Sequence, residues 1–168
     1  MSQQNSKSAI VSANGCGCLV LLMGIGVIGA IALPSFLNAS NKPMISEAKQ
    51  YVGSMNRAQQ ALFIEKSAFA TSVDALGIEI KTETTNYKYS VRATKQTAFN
   101  YGLSKKPELK SYVGGVFVIR VKSNNGEDEM RTESILCSAD KPGTIPPLPP
   151  QVHNGKLVCG TGTTKVTK

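Results

Sequence analysis

The chain of 168 residues carries 19 Lys and Arg against 11 Asp and Glu, a net charge of +8, with four Cys, one His and no Trp. That length suits one small domain with an appendage. A single histidine, His153, and few carboxylates argue against an ordinary metabolic enzyme, and no catalytic residue, metal ligand or cofactor is expected.

The charged fraction of 18% lies below the quarter usual for soluble domains, and the deficit is local: no formal charge occurs between Lys7 and Lys42. After an N-terminal segment over residues 1–15, residues 16–37 are apolar, with a core from Cys16 to Leu33. At 1.5 Å per residue that core makes a helix of about 27 Å, close to the hydrocarbon thickness of a bilayer. It has no polar face, so lipid is its natural solvent. Gly26 and Ala30 form a small-x-x-x-small pair suited to close helix packing, with Pro34 beyond them. A cleavable secretory signal ending at Ala30-Ile31-Ala32 is the competing reading; the thin basic start and the continuing helical pattern speak against it. Both readings export the C-terminal part of the chain.

Basic residues do not decide orientation, since Lys7 precedes the span and Lys42 and Lys49 lie beyond it. Cysteines are more informative. Cys137 and Cys159 stand alone in the region after the span, and an even pair in a small exported domain reads as a disulfide, which needs an oxidising compartment. The expected arrangement is a single-pass protein of the cytoplasmic membrane, its N-terminus inside and its head, residues 38–168, outside.

Within the head, Met44, Ala48, Tyr51, Met55, Ala58 and Leu62 recur at helical spacing and predict a helix over residues 44–67. Residues 68–85 read as a loop with one short turn at Gly77. Four strands come next over residues 86–139: Tyr87–Val91, Thr97–Leu103, Tyr112–Lys122 and Met130–Ala139, the last two joined by a turn at Asn125-Gly126. One helix and then four strands imply an α+β fold, an antiparallel sheet packed on the helix. In residues 140–168 five prolines exclude regular pairing, Asn154-Gly155 marks a tight turn, and Thr161–Lys168 reads as a frayed end.

These stretches resemble a known family. Ala30-Ile31-Ala32-Leu33-Pro34-Ser35-Phe36, Ser46-Glu47-Ala48-Lys49 and Asn56-Arg57-Ala58-Gln59-Gln60-Ala61 with Glu65 resemble the N-terminal helix of type IV pilins and pseudopilins. Asn86-Tyr87-Lys88-Tyr89, Leu109 to Phe117, and Ile135-Leu136-Cys137 with Pro142-Gly143-Thr144 are similar to the cyanobacterial pilin-like G and H type. The resemblance implies a membrane-stored subunit whose apolar helix packs in a filament core. Its head, a helix and sheet with a disulfide-bounded C-terminal loop, would face outward. Counted from Pro34, the prepilin-peptidase signature of that family falls at Ser12 to Gly17, where this chain has Ser12, Ala13 and Gly17 in place of the cleavage glycine and the glutamate. The departure implies an uncleaved anchor or a minor filament component.

Other candidates read as structural. Cys16-x-Cys18 lacks further ligands and suits buried small residues or acylation. Glu127-Asp128-Glu129 lacks the alternating spacing of a calcium loop and reads as a solvated turn. His153 is expected to face solvent, and Ser104, Ser111 and Ser138 lack a nucleophile setting. Lys105, Lys106 and Lys110, with Tyr112 and Tyr101 as flanking aromatics, are the candidate contact for DNA or anionic polysaccharide. The expected partners are other pilin-like subunits and the lipid bilayer. The chain thus reads as a structural subunit serving adhesion, motility or DNA uptake. The alternative is a membrane-tethered or released module that binds an anionic polymer.

Overall fold

A computed structural model describes residues 47–122 and 125–167. The apolar segment 16–37, with Gly26, Ala30, Pro34, Cys16 and Cys18, lies outside the described residues, as do residues 44–46 of the expected helix. Among the described residues no helix is long and apolar enough to cross a membrane.

Helix α1 occupies residues 47–66. Its sequence is rich in Ala, Gln, Lys and Glu, and Gly53 is its one interior glycine. It stops where Ser67 turns to φ 51°, its N–H still donating to the Phe63 carbonyl at 2.9 Å. A single left-handed residue at this place closes a helix end. A 3-10 turn lies beyond it at Asp74–Leu76, capped by Gly77 at φ 67°, within the loop expected there.

Among the described residues seven strands follow: β1 Tyr87–Ala93, β2 Thr97–Ser104, β3 Tyr112–Lys122, β4 Asp128–Ala139, β5 Gln151–His153, β6 Lys156–Val158 and β7 Thr163–Lys165. The sheet is antiparallel in the order β1-β2-β3-β4-β7, and β5-β6 form a separate hairpin. Three expectations are corrected. Residues 140–168, read as excluding regular pairing, carry the β5-β6 hairpin, because its strands begin at Gln151, just past the last proline. The sheet has five strands rather than four, because Thr163–Lys165, read from sequence as frayed, pairs with Cys137–Ala139 of β4. The fourth strand begins at Asp128, two residues early, because the acids of the expected turn pair with Lys122 and Val121.

Strand alternation divides the sheet into two faces. Tyr87 and Tyr89 of β1, Ala98, Asn100 and Gly102 of β2, and Tyr112, Gly114 and Val116 of β3 lie on the face toward α1. Ala48, Val52 and Met55 of the helix are fully buried against it. Each such aliphatic side chain contributes about 1.5–3 kcal/mol by leaving water. The opposite face carries Tyr101, Val113, Phe117, Ile135 and Cys137, packed with Leu157 and Cys159 from the C-terminal segment. The central strands are therefore covered on both sides.

Candidate functional site

The helix–sheet seam contains a buried chain of amides. Asn56 donates to the Ile135 carbonyl at 3.0 Å, and Asn100 donates to the Asn56 Oδ1 at 2.8 Å. Gln59 donates to Asn100 at 3.4 Å and to the Ala70 carbonyl at 3.0 Å, and accepts from the Ala70 N–H at 2.8 Å. All three side chains are buried, and hydrogen bonds offset the cost of burying them. The expected helical stripe is rotated accordingly. Ala48 and Met55 are central as foreseen, whereas Tyr51, Ala58 and Leu62 flank the core and Val52, Asn56 and Gln59 fill it.

Glycines let the layers approach. A Cβ on Gly114 would overlap the Asn56 side chain, and one on Gly102 would sit 2.9 Å from Val52. On the next residue of β3 the sense reverses: a Cβ on Gly115 would meet Pro150 at 2.5 Å on the outer face. The Gly114-Gly115 pair is thus the point where helix and C-terminal segment both close on one strand.

The C-terminal segment is held by the Cys137–Cys159 disulfide, as the sequence implied, across 22 positions. Pro150 is fully buried, and Asn154 and Gly155 turn the β5-β6 hairpin with φ 49° and 71°, the tight turn expected there. Ile145, Leu148 and Val152 stay exposed at 82%, 57% and 50%.

A tyrosine cluster closes the end of the sheet beside the start of α1. Tyr89 donates to Glu47 at 3.0 Å and packs on Tyr51 at 5.2 Å between ring centroids; Tyr87 donates to the Lys110 carbonyl at 3.2 Å. Burial pushes the Tyr89 phenol well above its ordinary value, and the Glu47 charge adds to it. Burial does the same to Tyr87, helped by Tyr112 and Glu47. Tyr112 and Tyr101 are also raised by burial, against small opposing effects of Ser138 and Arg92 respectively.

The structure does not gather Lys105, Lys106, Lys110 and Tyr112 into an aromatic-flanked basic surface. Lys105 is paired with Glu83 and also donates to the Thr84 carbonyl, and that pairing holds the Glu83 carboxyl below its usual range. Lys106 and Lys110 are half-buried, and Tyr112 is 4% exposed on the helix side of the sheet. Tyr101 lies on the opposite face, with Arg92 stacked over its ring at 5.6 Å. Strand alternation separates the two aromatics that the sequence suggested as partners. It also sends Asp128 and Glu129 to opposite faces, and among the described residues no group of three His, Cys, Asp or Glu is placed to hold a metal. His153 is exposed in β5. The hydroxyls of Ser104, Ser111 and Ser138 donate to backbone carbonyls of Lys106, Gly143 and Ala139.

Sequence reasoning missed the amide chain and the cation pair Lys88 and Arg92 on the outer face of β1, both exposed and free of ion pairs among the described residues. Their i, i+4 spacing in a strand with buried odd positions was the available signal.

No curated protein and no solved structure matches the chain significantly. The family model for type IV pilin-like G and H proteins matches residues 46–160, which takes in α1, the sheet through β4, the β5-β6 hairpin and both half-cystines, and the chain belongs to that family.

Proposed function

We propose that the chain is a structural subunit, a pilin or minor pilin, of a type IV pilus or type II secretion-like filament. In this reading residues 16–37 store it in the cytoplasmic membrane with the head outside, and the Gly26–Ala30 face meets other apolar helices. Its activity is assembly with other pilin subunits and surface contact for adhesion, motility or DNA uptake, without substrate turnover. The observation that carries the reading is the family match over residues 46–160, on a chain with a long uncharged segment ahead of it.

Immunogold labelling of sheared surface filaments tests it. Gold along the filaments is the expected result. Label confined to the membrane fraction would favour a tethered binding module, the reading that the residues at Ser12 to Gly17 support.

A further inference from the structure

A groove of about 500 Å³ runs along the outer face of β1 and β2, walled by the proline segment. Its floor carries Lys88, Arg92, Tyr101 and Leu103; Pro147 and Leu148 form its side, and no carboxylate lines it. Four prolines between 146 and 150 fix their own φ and push the residues before them into extended conformations. The wall is therefore a rigid rod with a period of three: Pro147 half-buried and Pro150 fully buried, Ile145 and Leu148 exposed. Holding a ligand against it costs little ordering entropy.

Lys88 and Arg92 point the same way from β1, about 13 Å apart at the rise of a strand. Neither is in a contact ion pair among the described residues; Lys88 lies across a backbone bridge from Glu83, whose carboxylate it helps to stabilise but which pairs directly with Lys105. The Arg92 guanidinium lies over the Tyr101 ring at 5.6 Å, a cation–π contact that places an exposed planar donor fork at the groove, suited to a carboxylate. Two cations in line along a straight groove suit a polymer that repeats its charge better than a small anion. The apolar wall suits the C–H faces of pyranose rings. Single-stranded nucleic acid fits less well, because it binds on exposed aromatic platforms and the groove's one ring, Tyr101, is 8% exposed beneath Arg92.

We infer that this groove is a binding site for a linear carboxylated polysaccharide, with Lys88 and Arg92 as the charge contacts and the proline rod as the sugar-packing wall. The inference goes beyond subunit assembly and is read on dispersed protein, so its failure leaves the filament reading untouched.

The full-length chain in a non-ionic detergent is titrated with polygalacturonate, with dextran, double-stranded DNA and polyglutamate as comparison polymers. Expected are salt-sensitive binding of polygalacturonate, no binding of dextran, and affinity about tenfold lower or worse in Lys88→Gln and in Arg92→Gln. Lys106→Gln/Lys110→Gln should bind as the parent does. Lys88 and Arg92 are exposed and the control lysines half-buried, and an unchanged denaturation midpoint shows that each variant is folded. The inference is overturned if polygalacturonate does not bind, if Lys88→Gln/Arg92→Gln binds unchanged, or if the Lys106/Lys110 variant loses binding. Equal affinity for DNA or polyglutamate also overturns it.

Discussion

Asn56 has its side chain over Gly114, hydrogen-bonded between a carbonyl of β4 and the Asn100 amide of β2. A methyl group at residue 114 would have to displace it, so Gly114→Ala is expected to destabilise the head by about 1–3 kcal/mol through overpacking. Asn56→Ala should also destabilise, by about 1–3 kcal/mol, because Asn100 and the Ile135 carbonyl lose their partner. The double variant should cost less than the sum, since the clash disappears with the side chain; urea unfolding of the four proteins measures the coupling. The tyrosines make a second prediction. Tyr87, Tyr89, Tyr101 and Tyr112 all have phenols held above their ordinary value by burial. A neutral group whose folded value is raised gives stability that is complete below the unfolded value, about 10, and lost as pH rises beyond it. Absorbance near 295 nm should therefore show these tyrosines ionising late and together with the loss of structure, and independent titration near pH 10 in a folded protein would contradict this. Periodicity located the helix but not these contacts. Counting apolar residues excludes Asn56 and Gln59 from a core stripe, and although Gln59 also bonds Ala70 11 positions on, the links to Ile135 and Asn100 span 79 and 41 positions, where no local pattern reaches.

At the scale of elements, the C-terminal segment adds only a short hairpin and one edge strand, yet it covers Val113, Phe117 and Ile135. The Cys137–Cys159 bridge holds it, and closing 22 positions is worth about 3 kcal/mol in the chain-entropy model. Reduction, or Cys137→Ser/Cys159→Ser, is expected to lower unfolding stability by about 2–5 kcal/mol and to raise dye binding as the outer face opens. A reduced protein of unchanged stability would show that the segment packs without its tether. The strands β1 to β4 were legible because their alternation runs for seven residues or more, and the β5-β6 turn was legible in Asn154-Gly155. Strand β7 was not. Three residues carry no readable period, and pairing there depends on the neighbouring bridge bringing them beside β4.

Across the whole chain, the charge map separates an uncharged N-terminal stretch from a basic head with a buried two-sided sheet. The head's fold class and family were readable from motifs spread along the sequence. The groove proposed above was not, because the exposed side of Lys88 and Arg92 follows from strand alternation, and the proline wall reaches it from residues 146–149, far along the sequence. The proposal that this chain is an exported subunit stored in the membrane makes a joint demand on its location and its thiols. Fractionating cells in the presence of a thiol-trapping, mass-shifting maleimide reads both at once. Full-length chain is expected in the membrane or filament fraction, with Cys137 and Cys159 unlabelled until a reductant is added. Intact chain in the aqueous extract with both thiols labelled at once would refute the proposal.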